Sequence, residues 1–145
     1  MSIEANKDIV RRFYAEVESQ GRFDIVDELF SATCVDTGHP ERGSGPESVK
    51  AHAREMRTRF PDLTVSVDQL VAEGDWVVAR LTSRGTHLGP FAGLQPTGKT
   101  VTWSGVGMRR IVDGRIVEQW TKYDMISLMR QLGALRVGPP TPTEQ

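Results

Sequence analysis

The sequence predicts an α+β domain in which a strongly curved, mostly antiparallel sheet wraps around three N-terminal helices. Helical periodicity dominates residues 1–60, whereas the alternating pattern of strands dominates residues 63–123. Helices followed by strands are typical of α+β folds. Asp113-Gly114 lies between two apolar runs and favours a tight hairpin turn, since both central positions need positive φ. A long hairpin curved around helices would enclose a deep pocket that opens at one end.

The helices are recognised by their apolar spacing and by the residues at their ends. Ile9, Phe13 and Val17 recur at four-residue spacing on one face of the first helix. Asp124 stands directly before the last helix and Gly133 directly after it, as an N-cap and a C-terminal glycine would. The predicted helices span residues 3–19, 23–30, 46–59 and 125–132.

The strands are recognised by alternation and by the turns between them. A short strand is expected near Cys34, and residues 88–99 are predicted to form a loop because they are rich in glycine and proline. We expect one domain over residues 1–135, followed by a flexible C-terminal tail over residues 136–145. The remaining predicted strands span residues 63–70, 76–87, 100–111 and 115–123.

Composition excludes several classes of function. The chain has 145 residues, with 18 basic and 19 acidic side chains. This balance argues against nucleic-acid binding and against a polybasic membrane anchor, both of which need a basic face. No apolar run approaches the length of a membrane span, and no signal peptide is recognised. The single cysteine, Cys34, fits a reducing compartment, and we therefore expect a cytoplasmic protein.

Most of the chain resembles a known family. The Gly-Thr-His sequence at residues 85–87 and the Gln-Leu-Gly sequence at residues 131–133 are similar, in combination, to motifs of SnoaL-like polyketide cyclases, which belong to the nuclear transport factor 2-like superfamily. The resemblance implies a cone-shaped α+β barrel and a homodimer or tetramer. It also implies ring closure on polyketide intermediates without a metal or organic cofactor. The similar segments are residues 6–30, 60–81, 85–101 and 110–133.

The resemblance also locates the family's polar pocket positions, and this chain departs from them. The position of the proton-moving Asp is occupied by Thr121, whose unassisted hydroxyl does not ionise near neutral pH. The supporting Gln and His positions are occupied by Gly105 and Gly107, and two glycines would widen the cavity. A family Asn position is occupied by Asp36. The scaffold is therefore expected to be kept while the chemistry changes.

Four residues are candidates for catalysis. Asp36, if buried, would serve as a general acid or base, and the alternative is a loop Asp that binds its own backbone. His87 would contact a ligand or else hydrogen-bond the 88–99 loop. Asp124 would act catalytically or else cap the last helix. Thr121 completes the set through its place in the family pattern.

Eight further residues are candidates for ligand binding. A phenol at Tyr14 could steady an oxyanion, although packing in the core is its alternative. His39 is either a ligand contact or an exposed loop residue, Arg109 either clamps an anion or lies on an outer face, and His52 is expected on a helix surface. No metal site is expected, since the three histidines lack paired ligand spacing. The full set is Tyr14, His39, Trp103, Gly105, Gly107, Arg109, Gln119 and Trp120.

These observations predict a cofactor-independent cyclase or isomerase that acts on a polyketide-like, largely apolar small molecule in natural-product biosynthesis. Since the family's Asp is replaced, ring closure by aldol chemistry, by epoxide opening and by cycloaddition all stay open. The alternative is a binding protein with an apolar pocket and no catalysis. A structural dimerisation domain is the third hypothesis, which an open cone favours least.

Overall fold

The computed structural model describes residues 2–135. Met1 and the predicted tail, residues 136–145, lie outside the described residues. The helices are α1 (Ile3–Arg12), α2 (Val26–Leu29), α3 (Pro46–Arg59) and α4 (Met125–Gln131). The strands are β1 (Phe30–Asp36), β2 (Thr64–Glu73), β3 (Trp76–Thr86), β4 (Thr100–Val112) and β5 (Arg115–Tyr123). Short 3₁₀ turns occupy Phe23–Ile25 and Pro40–Arg42.

The five strands form one mixed sheet in the order β1-β5-β4-β3-β2. Only the β1–β5 pairing is parallel among the described strands, and the other three are antiparallel. The predicted α+β class and mostly antiparallel sheet are thus confirmed. The sheet is not closed, because β1 and β2 form its two edges. Asp113 and Gly114 both have positive φ in the β4–β5 turn, as the sequence predicts.

The first helix changes its winding where it meets the sheet. After α1 the chain continues as a π-helix over Phe13–Glu18, in which Ser19 N donates to Tyr14 O at 3.0 Å. The sequence predicts a plain helix over residues 3–19, so this widened turn is a finding of the structure. Such π segments are frequent at functional sites, and this one carries side chains directly into the interior.

The core lies between the helices and the concave face of the sheet. Phe13, Val17 and Phe30 are buried there, and the edge-to-face contact of Phe13 with Phe30 has a centroid distance of 5.2 Å. A second apolar cluster packs beneath α4 and includes Phe60, Trp103 and Leu128. None of the described helices has the length and apolar character needed to cross a bilayer.

Candidate functional site

The interior contains two adjoining chambers. The inner chamber is lined mostly by residues with polar or charged side chains, and its cavity volume is about 20 Å³. The outer chamber is mainly apolar and offers about 180 Å³ by the same measure. Four residues line both chambers and therefore mark their junction: Glu18, Arg42, His52 and Tyr123. An apolar guest in the outer chamber would thus reach ionisable groups at its inner end.

The walls of the two chambers come from overlapping sets of elements, because α3, β4 and β5 contribute to both. The rest of the polar wall comes from the end of the first helix, β1 and the turn before α3, whereas the rest of the apolar wall comes mainly from α4, β2 with the residue before it, and the 88–99 loop. The characteristic polar residues are Asp36, Arg42, Arg109, Gln119 and Thr121. The characteristic apolar residues are Met56, Leu63, Val65, Phe91, Trp103 and Leu128.

Glu18 is the last residue of the π segment, and its carboxyl group is enclosed by protein at the junction. The residue as a whole is partly buried, and it lines both chambers. Loss of solvation raises the pKa of Glu18, and the positive charges of Arg109, Arg42 and Arg57 oppose that rise. No ion pair within 4.0 Å involves this carboxylate among residues 2–135. The site therefore contains an ionisable acid that is not tied to a fixed partner.

His52 faces the same junction from α3. Burial lowers the pKa of His52 to about 3, and the nearby charges of Arg42 and Arg59 act in the same direction. The imidazole is therefore neutral near neutral pH and offers one donor and one acceptor. The sequence expectation that His52 lies on a helix surface is wrong, since its ring lines both chambers.

Arg109 and Tyr14 form a buried pair beside the inner chamber. Arg109 Nη1 donates to the phenolic oxygen of Tyr14, and the guanidinium carbon lies 4.6 Å from the centroid of the Phe13 ring. Burial raises the pKa of Tyr14, while the positive charge of Arg109 opposes that rise. Tyr14 does not line either chamber, whereas Arg109 lines the inner one. The predicted outer-face alternative for Arg109 is wrong, because this side chain is buried.

Gly105 and Gly107 do not widen the cavity, which corrects the sequence expectation. A Cβ at position 105 would lie 2.3 Å from Tyr123 Cδ1, and a Cβ at position 107 would lie 2.6 Å from Tyr14 Oη. Neither glycine lines a chamber. The space that the missing side chains leave is filled by Tyr123 and by the Arg109–Tyr14 pair, so the two glycines act on the site through these neighbours.

The comparisons with known proteins agree with this architecture. A profile described as SnoaL-like polyketide cyclase matches residues 8–132. The chain belongs to the SnoaL-like polyketide cyclase family. It is 30% identical over 131 residues to the aklanonic acid methyl ester cyclase DnrD of Streptomyces peucetius, covering 87% of this chain and 89% of that protein. It is 31% identical over 116 residues to the nogalonic acid methyl ester cyclase of Streptomyces nogalater, covering 78% and 87%.

Solved structures support the same assignment. TsrD from Streptomyces laurentii superimposes with a TM-score of 0.86 at 28% identity, covering 93% of this chain and 99% of that one. IdmH from Streptomyces antibioticus superimposes with a TM-score of 0.77 at 31% identity, covering 88% and 98%. The predicted family resemblance and the fold that it implied are therefore confirmed.

Two of the predicted catalytic residues of this SnoaL-like cyclase line the inner chamber. Thr121 is buried there on β5, opposite Gly107 in the register. Asp36 is buried at the end of β1, and its Oδ1 accepts from the backbone N–H groups of Gly38 at 3.0 Å and His39 at 2.9 Å. The alternative that Asp36 binds its own loop is confirmed, although the carboxylate also faces the chamber.

The other two predicted catalytic residues have structural contacts outside the chambers. His87 Nδ1 accepts from the backbone N–H of Thr97 at 3.1 Å, which confirms that it binds the 88–99 loop. The exposed Asp124 caps α4, since its Oδ1 accepts from Ser127 N at 3.0 Å. Neither His87 nor Asp124 lines a chamber, so the structure does not bring all four catalytic candidates together.

Of the remaining ligand-binding candidates, two line a chamber and two do not. Gln119 lines the inner chamber and Trp103 the outer one. Trp120 lines neither, because its side chain points to the other face of β5, where the Lys122 ammonium lies 5.8 Å from the ring centroid. His39 also lies outside both chambers, and its ring is partly buried beside Asp36, with Nδ1 at 3.8 Å from Oδ1. Burial lowers the pKa of His39, and Arg42 contributes in the same direction.

Sequence reasoning missed the junction residues as a site, although two of them carried a signal. Glu18 follows Tyr14 by four positions, which places a carboxylate on the apolar stripe of the first helix. His52 follows Val49 by three positions and precedes Met56 by four, which places an imidazole on the apolar stripe of α3. Within residues 2–135 no group of three His, Cys, Asp or Glu side chains is arranged to hold a metal ion.

Proposed function

We propose that this protein is a cofactor-independent cyclase or isomerase that closes a ring on a polyketide-like, largely apolar intermediate of natural-product biosynthesis. The observation that carries the proposal is the apolar outer chamber that adjoins a small polar chamber with two carboxyl groups, Glu18 and Asp36. The outer chamber suits fused rings or an apolar chain, whereas the junction suits the carbonyl groups that react. The cyclases from S. peucetius and S. nogalater are named for the methyl esters of aklanonic acid and nogalonic acid.

The 88–99 loop supports this proposal, because it supplies part of the chamber's cover. Phe91 lines the outer chamber, and the guanidinium carbon of Arg59 lies 4.6 Å from its ring centroid. The loop is anchored at its other end by the hydrogen bond from Thr97 N to the buried His87 ring. A cover of this kind would exclude water from an enolate or other reactive intermediate and hold the substrate in a reactive conformer.

Direct turnover tests the proposal. Purified protein is incubated with three probes of one size: an aromatic β-keto ester that bears a ketone side chain, a polyketide epoxide and a polyketide triene. Ring closure is followed by chromatography and mass spectrometry. We expect the β-keto ester to cyclise faster than in buffer, since carbonyl chemistry suits the polar junction. No acceleration of any probe would contradict the proposed enzyme.

The inner-chamber candidates are then compared with matched surface changes. Asp36→Asn and Thr121→Val are measured beside Asp24→Asn and Thr102→Val, which repeat the same chemical changes at exposed positions. We expect the two chamber variants to turn over more slowly than their surface controls. Full turnover by Asp36→Asn and Thr121→Val would remove both residues from the mechanism.

The second candidate function is a binding protein without catalysis, which the hydroxyl of Thr121 in place of the family's Asp favours. A ligand that binds only the native state raises the thermal midpoint, by an amount that grows with the logarithm of the ligand concentration above its Kd. Stabilisation by the three probes without any product would select this alternative. Product formation with the same probes would exclude it.

We also propose that the chain works as a homodimer or tetramer in the cytoplasm, with a small molecule rather than a nucleic acid or membrane as its partner. The support for assembly is an apolar patch on the outer face of the sheet around Val71, Trp76, Val78 and Met108. Gel filtration at micromolar concentrations would test this part, and elution as a monomer throughout would contradict it.

A further inference from the structure

We propose that Glu18 is the catalytic residue that moves the proton during ring closure, in the role that the family gives to an Asp at the position of Thr121. This inference rests on the proposed function. It assigns the chemistry to the first helix instead of the last strand, and it identifies the substrate class as compounds with an acidic C–H between or beside carbonyl groups.

The position of Glu18 carries the assignment. Its side chain lines both chambers, so a substrate whose apolar body fills the outer chamber would present its inner end to this carboxyl. The carboxyl has no ion pair within 4.0 Å among residues 2–135 and is therefore free to contact a guest. A general base must reach the proton that it removes, and a carboxyl at the junction meets that requirement.

The other ionisable groups of the chamber suit the role less well. Asp36 Oδ1 already accepts two backbone hydrogen bonds, and Oδ2 lies 3.8 Å from Arg42 Nη1. His52 is too weak a base, because burial lowers its pKa to about 3. Burial raises the pKa of Tyr123 well above its ordinary range, so its phenol stays protonated. Glu18 remains as the carboxyl that is both unpaired and placed at the junction.

The charges around Glu18 keep it able to exchange a proton. Groups face it from every element packed around it: Arg109 from β4, Arg42 from the turn before α3, Arg57 and His52 from α3, Tyr123 from β5 and Tyr14 from its own helix. Burial raises the pKa of Glu18, and the three arginines limit the rise. A carboxyl balanced in this way is a stronger base than one in water and a usable acid after it has accepted a proton.

The backbone around Glu18 is held in place by Arg57, which acts as a positioning residue. Arg57 Nη1 donates to Glu18 O at 3.1 Å and to Ser19 O at 3.3 Å, which satisfies carbonyl groups at the end of the π segment. Gly21 leaves the space for this guanidinium group, since a Cβ there would lie 2.9 Å from Arg57 Nε. The widened turn and its arginine therefore fix where the carboxyl points.

The proposed ring closure needs no reactant other than the substrate, because Glu18 returns the proton that it removes. The Glu18 carboxylate takes the proton from the acidic carbon, and the electron pair of that C–H bond becomes the enolate. The enolate carbon then forms a bond to the ketone carbon of the same molecule, and the carbonyl π pair moves to oxygen. That alkoxide takes the proton back from the Glu18 carboxylic acid, so the residue ends the cycle as it began.

The experiment measures proton transfer, ring closure and binding separately for wild type, Glu18→Gln, Glu18→Asp and the exposed control Glu4→Gln. The reactive probe is an aromatic β-keto ester with a ketone side chain. The binding probe is the same ester with both acidic hydrogens replaced by methyl groups. Exchange of the acidic hydrogen in D₂O is followed by NMR, ring closure by chromatography, and binding of the blocked ester by calorimetry.

We expect Glu18→Gln to lose a factor of about 100 or more in exchange and in kcat, while the Kd of the blocked ester changes less than about threefold. Glu4→Gln should match wild type. Exchange and closure by Glu18→Gln within about threefold of wild type would overturn the assignment and leave the proposed function intact. If the wild-type protein neither exchanges the acidic hydrogen nor closes the ring of the β-keto ester, the result contradicts the proposed function and with it the role of Glu18.

A pH profile keeps the assignment testable even if Glu18→Gln does not fold. The acidic limb of kcat/KM for wild type should move to lower pH in Glu18→Asp, because the substitution replaces the titrating group itself. A merely structural role for Glu18 would lower the rate at all pH values without moving the limb. An unmoved limb in an active Glu18→Asp protein would therefore also overturn the assignment.

Discussion

Arg109 on β4 donates a hydrogen bond to the phenolic oxygen of Tyr14, which lies 95 residues earlier in the chain, on the π segment. Both side chains are buried, and the guanidinium carbon lies 4.8 Å from the centroid of the Tyr14 ring. The Nε atom of Arg109 has no partner among the described residues. The pair ties the helix that carries Glu18 to the sheet, and removing either member would leave the other buried without its partner.

Gly107 is the neighbour that makes this pair possible. A Cβ at position 107 would lie 2.6 Å from Tyr14 Oη and 2.8 Å from Arg109 Nη1. We therefore expect Gly107→Ala to lower the free energy of unfolding by about 1–3 kcal/mol, as overpacking of a filled core does. Urea denaturation measures the change. The cost should be smaller in a Tyr14→Phe background, where the nearest atom is absent, and equal costs in both backgrounds would contradict the steric explanation.

Gly105 should influence ligand binding through Tyr123. A Cβ at position 105 would lie 2.3 Å from Cδ1 of Tyr123, whose ring lines both chambers. We expect Gly105→Ala to displace that ring, weaken binding of an apolar ligand and destabilise the fold by about 1–3 kcal/mol. Calorimetric titration with the blocked β-keto ester measures affinity, and unchanged affinity in a folded Gly105→Ala protein would show that the ring does not move into the chambers.

Asp124 should matter for stability and not for turnover. Its carboxylate caps α4 through Ser127 N, so Asp124→Ala should lower the free energy of unfolding by about 1 kcal/mol. Asp124→Asn keeps an oxygen acceptor and should restore most of the loss. The rate per folded molecule should equal that of wild type for both variants. A hundredfold loss of kcat in Asp124→Asn would instead support the catalytic alternative.

The buried imidazole of His52 predicts a loss of stability on mild acidification. The pKa of His52 is about 3 in the folded protein against an ordinary value of 6.5, so the unfolded chain binds a proton first as the pH falls. The free energy of unfolding is therefore not reduced by His52 above about pH 6.5, and it declines as the pH falls from there towards 3. Between pH 7.5 and 5.5 we expect wild type to lose about 1 kcal/mol more than His52→Gln.

Urea denaturation of both proteins at the two pH values measures that difference. His39 contributes with the same sign, because burial lowers its pKa as well, but it is present in both proteins and cancels in the comparison. An equal loss in wild type and His52→Gln would show that the imidazole is not buried in its neutral form.

Local signals in the sequence were sufficient for much of the fold. The bounds of α3 and β5 agree with prediction. Pro46 favours a helix start at its own position, and the Asp113-Gly114 turn directly precedes β5. The π segment over Phe13–Glu18 could not be predicted in this way. Its apolar spacing is compatible with an ordinary α-helix, and the wider turn depends on tertiary contacts such as the hydrogen bonds from Arg57 to the Glu18 and Ser19 carbonyl groups.

The candidate site was predicted less completely, for a physical reason that Gly105 and Gly107 illustrate. The sequence shows that these positions lack side chains, but the neighbours that fill the space, Tyr123 and Arg109, are fixed by strand register and by the first helix. Glu18 was not predicted, because its burial beside the chambers depends on the packing of the first helix against the sheet. A carboxylate on an apolar helical stripe is visible in the sequence, but the three arginines whose charges act on its pKa come from three distant elements.

The buried acid Glu18 predicts a pH dependence of opposite sign to that of His52. Burial raises the pKa of Glu18 above its ordinary value of 4.5, so the folded protein holds this proton more tightly than the unfolded chain. The contribution of the protonated Glu18 to stability is complete below about pH 4.5, and it is lost as the pH rises through the pKa of Glu18 in the folded state. Glu18→Gln is neutral at every pH, and its stability relative to wild type should therefore increase with pH, by at most about 1.4 kcal/mol per unit.

Urea denaturation at intervals between pH 5 and 8 measures this relative stability, with Glu4→Gln as the exposed control whose difference from wild type should stay flat. The result also bears on the proposed mechanism, because a carboxyl that costs stability when charged in the empty chamber can gain a proton from a bound C–H acid. If the difference between Glu18→Gln and wild type stays as flat as that of the control, Glu18 is solvated like a surface residue and its proposed role in proton transfer loses its electrostatic basis.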